Sequence, residues 1–315
     1  MNIRQKGGAP GIFSLAIHGG AGAFAALKDE MEIAAYHQGL EMALRTGRDI
    51  LASGGSALDA VEAAVLSMED NPLFNCGKGS VFNSEGFHEM DASIMDGNTL
   101  ACGAGAGLKT VRNPIRLARR VMEHSPHVFL AGAGAEEFAR LQGLELVAPD
   151  YFSVEKRRAQ WLEARRNDQI QVDHDSPAVP EKMGTVGAVA RDCQGRLAAA
   201  TSTGGVTNKK FGRVGDSPVI GAGNYADSRT CAVSCTGKGE EFIRIAAAFD
   251  VHARMCYQGV SLQQAAETVI HDCLKTGDGG LIAVGHDGTM ALSFNTRGML
   301  RGQTDHTGLF RTDIF

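Results

Sequence analysis

Gly184-Thr185 stands where a long polar stretch gives way, within one residue, to the apolar run Val186-Gly187-Ala188-Val189-Ala190. Residues 167–183 carry Asp, His, Ser, Gln and two prolines with little hydrophobic periodicity, the pattern of a mobile, solvated linker. A threonine hydroxyl at such a junction can attack the carbonyl before it, because glycine brings no side-chain bulk and tolerates strained backbone. Breaking that bond would leave Thr185 as a new N-terminus. An α-amine with its ordinary pKa of about 7.7 to 8.0 is substantially neutral near physiological pH, so nucleophile and base would then share one residue. Taken alone, Gly-Thr-Val is also a common way to open a strand.

Three further groups have the right chemistry to serve such a nucleophile. Residues 185–191 and 196–201 flank Asp192-Cys193-Gln194-Gly195, a hairpin signal. With Arg191 opposite Arg196, Thr185 falls opposite Ser202, so Thr201, Ser202 and Thr203 flank it, and Thr203 can hydrogen-bond its hydroxyl or amine. The glycine-rich loop 211–218 holds Arg213 and Asp216 three apart. The Arg213 fork suits an α-carboxylate and the Asp216 carboxylate an α-ammonium, the two handles of a free amino acid, although the pair could equally neutralise each other. A strand at 231–235 runs into Thr236-Gly237-Lys238-Gly239-Glu240 and then a helix over 241–256. Thr236 Oγ and the Gly237 amide at that turn can hold a developing oxyanion. Phosphate is the competing guest, but the P-loop spacing fails at Ala232 and Gly239.

The elements that must position these groups begin with a buried strand over 12–17, ending in a His18-Gly19-Gly20-Ala21-Gly22 turn. Gly20-Ala21-Gly22-Ala23-Phe24-Ala25 matches the dinucleotide fingerprint G-x-G-x-x-A, which keeps an oxidoreductase as an alternative. The chain continues instead with a long amphipathic helix over 30–52 and a second, capped by Ser56, to residue 70. Asn71-Pro72 stops it, and residues 73–79 form an irregular loop. Strands are expected over 80–83, 87–95, 99–108 and 128–131, with helices over 113–124, 135–142 and 154–166. In the second half Ser261 caps a helix to residue 275, and 280–285 and 289–294 make a hairpin. Helix pairs interleaved with antiparallel runs in both halves predict an α+β fold, two packed sheets with helices outside in a four-layer α-β-β-α sandwich.

Composition excludes several classes of function. A net charge of −5 gives no general attraction to nucleic acid or anionic membrane, and 43% hydrophobic content in 315 residues is ample for a core. Seven cysteines form no CxxC pair, and ten scattered histidines suggest no metal cluster. The N-terminal residues have no signal-peptide pattern and no stretch approaches a membrane span, so a reducing, cytoplasmic location is expected.

Several motifs then stand in one order: Ile17-His18-Gly19-Gly20-Ala21-Gly22, Gly54-Gly55-Ser56-Ala57-Leu58-Asp59-Ala60-Val61, Pro72-Leu73-Phe74-Asn75, Met95-Asp96-Gly97, Met183-Gly184-Thr185-Val186-Gly187, Thr201-Ser202-Thr203-Gly204-Gly205, Gly212-Arg213-Val214-Gly215-Asp216-Ser217-Pro218 and Thr236-Gly237. Together, over about 12 to 310, they resemble the plant-type L-asparaginase and isoaspartyl peptidase family of N-terminal-nucleophile hydrolases. The resemblance implies one domain over 1–315 that cleaves itself between Gly184 and Thr185 into chains 1–184 and 185–315, paired as a dimer of heterodimers. It implies hydrolysis of L-asparagine and β-aspartyl dipeptides through a β-aspartyl ester on Thr185. Thr203 would support the nucleophile, Thr236 and Gly237 would form the oxyanion hole, and Asn75 would sit nearby. Arg213 and Asp216 would grip the substrate, with Gly239 adding a carbonyl. No cofactor is implied for catalysis, but a structural sodium ion is, on backbone carbonyls of Met68, Glu69, Asn71, Phe74, Cys76 and Lys78. Lys210-Phe211 stands where the family usually has Leu-Pro, and Thr276-Gly277-Asp278-Gly279-Gly280 replaces a more glycine-rich run. A glycosylasparaginase-like activity and a processing-defective, non-catalytic relative are the remaining alternatives.

Overall fold

Small and β-branched residues on both faces of a strand allow it to be covered on both sides, and the central strands of this protein are built that way. The computed structural model describes residues 11–22, 29–167 and 184–315; most of the expected linker, and residues 23–25 of the dinucleotide-like stretch, lie outside the described residues. In order, the described elements of the first half are β1 (Ser14–Gly22), α1 (Glu30–Ala52), α2 (Ala57–Glu69), β2 (Met90–Asp96), β3 (Cys102–Leu108), α3 (Pro114–His124), β4 (Phe129–Ala131), α4 (Gly132–Leu141) and α5 (Glu155–Arg166). Those of the second half are β5 (Val186–Arg191), β6 (Leu197–Thr203), β7 (Asn224–Ala226), β8 (Cys231–Gly237), α6 (Gly239–Arg244), α7 (Ala247–Ala253), α8 (Leu262–Glu267), β9 (Gly279–Gly285), β10 (Met290–Phe294), β11 (Gly298–Asp305) and β12 (Phe310–Asp313).

The strands form two sheets, one in the order β12-β11-β1-β5-β6-β2-β3-β4 and a smaller one in the order β10-β9-β8-β7. Alternation along β5 and β6 assigns their two faces. Val186, Ala188, Ala190, Ala198 and Ala200 pack with Leu40, Leu44, Val61 and Val65 of α1 and α2. Val189, Leu197 and Ala199 pack instead with Ala232, Ile282 and Val284 of the small sheet. Val233, Cys235, Leu281 and Ala283, on that sheet's far side, are covered by Ala248 and Val251 of α7 and Ala265 and Ala266 of α8. The fold is thus mixed α and β. Among the described residues no helix is long and apolar enough to cross a membrane.

Five features differ from the sequence expectation. The β5–β6 register is one residue longer than predicted, Arg191 facing Leu197 and Val186 facing Ser202. The buried Asp192 carboxylate accepts from the Gln194 and Arg196 amides and from Arg196 Nε, which draws Arg196 into the turn. The glycines after His18 continue β1 instead of leaving it, accommodated by a register shift between His18 and Gly20. Residues 80–83 form no strand, only a bridge from Asn83 to Lys209. The helix over 241–256 is interrupted at Ala246, where φ is +49°, because the Ala248 and Phe249 amides donate to the Ala222 and Gly221 carbonyls. The hairpin of β11 and β12 was not anticipated; Asp305 and Thr307 form its polar turn.

Candidate active site

Because β-strand side chains alternate, the register decides which hydroxyls share a face. Continuing the observed pairing, Thr185 faces Thr203. Thr201 and Thr203 lie on the face of Leu197 and Ala199, toward the small sheet, while Ser202 lies on the helix face and donates to Glu69 Oε1 at 2.6 Å. Burial pushes the Glu69 carboxyl up to about 8. Of the three hydroxyls expected near the nucleophile, Ser202 is therefore turned away.

Thr185 is buried, and its Oγ donates to Thr203 Oγ at 3.1 Å. Ser217 Oγ is 3.3 Å from the same atom, held by a loop that Ser93 Oγ ties down through the Ser217 carbonyl at 2.5 Å. Thr203 Oγ also accepts from the Gly205 amide at 3.0 Å. That turn is fixed from below by Asn75, whose Nδ2 donates to the Gly205 carbonyl at 2.8 Å and whose carbonyl accepts from Gly204 at 2.9 Å. Asn75 thus lies one residue behind the hydroxyl cluster.

On the other side, Thr236 Oγ accepts from the Ala21 amide at 3.3 Å. A side chain on Gly184 would come within 3.1 Å of the Thr236 hydroxyl, and one on Gly20 would fall 2.6 Å from the Gly184 nitrogen. Glycine at both positions lets two backbones and the hydroxyl meet at the Gly184–Thr185 junction. Gly237 is equally constrained, since a Cβ there would fall 2.2 Å from the Asp278 carbonyl.

The charged groups gather around Gly239, where a Cβ would lie 2.9 Å from both an Arg213 nitrogen and Asp216 Oδ1. Arg213 does not pair with Asp216. Its Nε and Nη2 grip the Glu240 carboxylate at 2.8 and 2.9 Å, a role for Glu240 that the sequence reading missed. Asp216 is buried, with Oδ2 unpartnered among the described residues, and burial pushes its carboxyl up to about 7 despite the nearby Arg213 charge. Gly184, Thr185, Thr203, Arg213, Asp216 and Gly237 line one cavity of about 10 Å³, roughly the space of a single water. Phe211, at the tip of the adjoining loop, is fully exposed with φ of +59°.

In the loop expected to hold sodium, the Met68, Asn71, Phe74 and Cys76 carbonyls each accept a turn hydrogen bond. A Cβ on Gly77 or Gly79 would fall 2.3 Å from the Glu69 carbonyl or 2.1 Å from that of Phe74, so the carbonyls crowd a space only glycine leaves open. Among the described residues no cluster of His, Cys, Asp or Glu could hold a metal. An all-carbonyl donor set fits a hard monovalent cation.

His18, Ser217, Ser234 and Glu240 were not singled out as site residues. His18 and Ser234 sit 216 positions apart and meet only through the stacking of two sheets. Ser217 had a signal in its place immediately after Asp216.

The Asparaginase family matches residues 12–314, and the chain belongs to it. It is 52% identical over 308 residues to the isoaspartyl peptidase of Salmonella typhimurium, covering 94% of this chain and 98% of that one. It is 51% identical over 310 residues to the isoaspartyl peptidase of Escherichia coli, covering 94% and 96%. To the isoaspartyl peptidase/L-asparaginase of Homo sapiens it is 43% identical over 290 residues, covering 90% of each.

Proposed function

We propose that the protein is a self-cleaving isoaspartyl peptidase and L-asparaginase whose nucleophile is Thr185. The observation that carries this is the Thr185 hydroxyl, bonded to Thr203 and bordered by Ser217 directly after a glycine, in a chain so close to proteins named for these activities. Thr185 Oγ attacks the Gly184 carbonyl, the Thr185 nitrogen leaves as an amine, and water hydrolyses the resulting ester. Chains 1–184 and 185–315 result. The freed amine then takes the Oγ proton as Oγ attacks the side-chain carbonyl of asparagine or a β-aspartyl dipeptide. Ammonia or the second amino acid departs with a proton, and water releases aspartate from the β-aspartyl ester. Thr236 Oγ and the Gly237 amide stabilise the oxyanion in both steps. Arg213 and Asp216 take the α-carboxylate and α-ammonium, beside Gly239. The one-water cavity supports cleavage as a prerequisite, since Gly184 forms part of its wall and an amino acid needs far more room.

The stacking of helices, large sheet, small sheet and helices supports an N-terminal-nucleophile αββα sandwich. Sodium on the carbonyls of Met68, Glu69, Asn71, Phe74, Cys76 and Lys78 would brace the loop that carries Asn75, with no part in the chemistry. A dimer of heterodimers and a cytoplasmic location belong to the same reading, the latter supported by seven free cysteines. Aspartate release from β-aspartyl dipeptides and from asparagine by purified protein tests the activity. No release from either, by protein that has matured, would refute it.

A further inference from the structure

We infer that His18 is a positioning residue for Thr185, holding the nucleophile's own carbonyl through a ring whose tautomer is fixed by Ser234 and Thr201. This inference rests on the reading of Thr185 as nucleophile.

His18 is buried at the end of β1's pairing with β5, directly opposite Gly187. Its Nδ1 lies 3.0 Å from the Thr185 carbonyl and its Nε2 lies 2.9 Å from Ser234 Oγ. A carbonyl can only accept, so Nδ1 carries the proton and Nε2 is the bare acceptor. Ser234 must then donate to Nε2, which leaves its oxygen to accept from Thr201 Oγ at 2.7 Å, the shorter of that hydroxyl's two contacts, the Gly223 carbonyl lying 3.3 Å away. The three groups form one directed chain, Thr201 to Ser234 to His18 to the Thr185 carbonyl. Burial keeps the imidazole neutral, pushing it down to about 3 against the opposing pull of the Thr185 carbonyl, so the chain persists across the physiological pH range.

Gly187 supplies an independent sign that this chain shapes the strand. A Cβ there would fall 2.0 Å from Ser234 Oγ and 2.4 Å from His18 Nε2. The second residue of β5 is a glycine, ordinarily unfavourable in a strand, and the His18–Ser234 bond passes over it. Fixing the Thr185 carbonyl fixes the peptide plane that carries the Thr185 Cα, and so the point from which Oγ and the amine that cleavage would release must both extend. His18 contacts the Thr185 carbonyl and Ser234 and is not among the residues that line the cavity beside Thr185, so its effect belongs in kcat and not in KM.

Asparagine and glutamine at position 18 separate the two contacts, because an Asn amide nitrogen lies where Nδ1 does and a Gln amide where Nε2 does. The test compares wild type, His18→Asn, His18→Gln and Gly187→Ala by intact mass, by kcat and KM on a β-aspartyl dipeptide, and by pH profile. His18→Asn should keep kcat within about tenfold of wild type, whereas His18→Gln and Gly187→Ala should lose about 10²-fold, the scale of a misplaced reacting group. KM should be unchanged and the pH profile should keep its shape in all. Equal losses in His18→Asn and His18→Gln, wild-type kcat in His18→Gln, or a lost limb of the pH profile would each overturn the assignment while Thr185 stands. A wild type that remains one chain and turns nothing over overturns the Thr185 reading first, and the role of His18 with it.

Discussion

The two halves of the candidate site are prepared in opposite ways. Around Thr185 the polar groups are paired with one another: Thr203 with Thr185 and Gly205, Ser217 against Thr185, His18 with the Thr185 carbonyl and Ser234. Around Asp216 a buried carboxylate oxygen has no partner among the described residues, and the Arg213 fork is occupied by a neighbour on α6. Folding alone pairs the polar groups of the first half. The second half is complementary to a charged guest, because an unpaired buried carboxylate is costly and an ammonium relieves it. Preorganisation thus sits where the chemistry would occur, and unmet electrostatic demand sits where the substrate would be recognised.

The comparison can be broken most forcefully at its centre. Thr185→Ala should leave a single chain with turnover reduced on the order of 10⁶-fold, as loss of a nucleophile does elsewhere. Thr236→Ala should cost about 10² to 10³ in kcat, the usual loss for one oxyanion donor, with KM little changed. On the recognition side the effect should move to KM. Asp216→Asn should raise KM by about 10²-fold, the scale of a truncated buried charge pair. It should also flatten the pH dependence. Only the carboxylate grips an ammonium, so wild-type kcat/KM should carry a rise through about 7 from Asp216, and the variant should lose that rise and keep only the one that belongs to the Thr185 amine. Stability carries the same sign in reverse. The folded-state value lies above the unfolded one, so the stability linked to Asp216 is present below about pH 4 and lost as pH rises through about 7. Thermal midpoints should therefore favour Asp216→Asn over wild type at pH 8 more than at pH 4. The smallest effect is expected at Glu240→Gln, which loosens a half-exposed ion pair and should raise KM about threefold while changing stability by about 1 kcal/mol or less. A kcat loss in place of a KM rise in Asp216→Asn or Glu240→Gln would erase the distinction between the two halves.

Much of this site can be read from local sequence because its residues are local to one another. Ser56 caps α2 as a Ser-x-x-Asp start predicts, and α1 spans Glu30–Ala52 as the apolar spacing predicts. Thr203 could be placed beside Thr185 because a short hairpin restricts register, and the one-residue error came from the Asp192 carboxylate, which holds Arg196 in the turn. Arg213, Asp216 and Gly239 were recognisable as charge and glycine chemistry, but the Arg213–Glu240 pairing needs the loop folded against the start of α6. His18, Ser234 and Thr201 were illegible as a chain. They come from β1, β8 and β6, and only the stacking of two sheets brings them together. The break at Ala246 was hidden for the same reason, being imposed by hydrogen bonds to the 221–222 loop.

The most direct test of the central proposal is a denaturing intact-mass spectrum of fresh and aged protein, with Thr185→Ala beside it. Two fragments, one ending at Gly184 and one beginning at Thr185, absent from the Thr185→Ala sample, are the predicted result. A persistent single chain of 315 residues in the wild type, or fragments that also appear in Thr185→Ala, would contradict it.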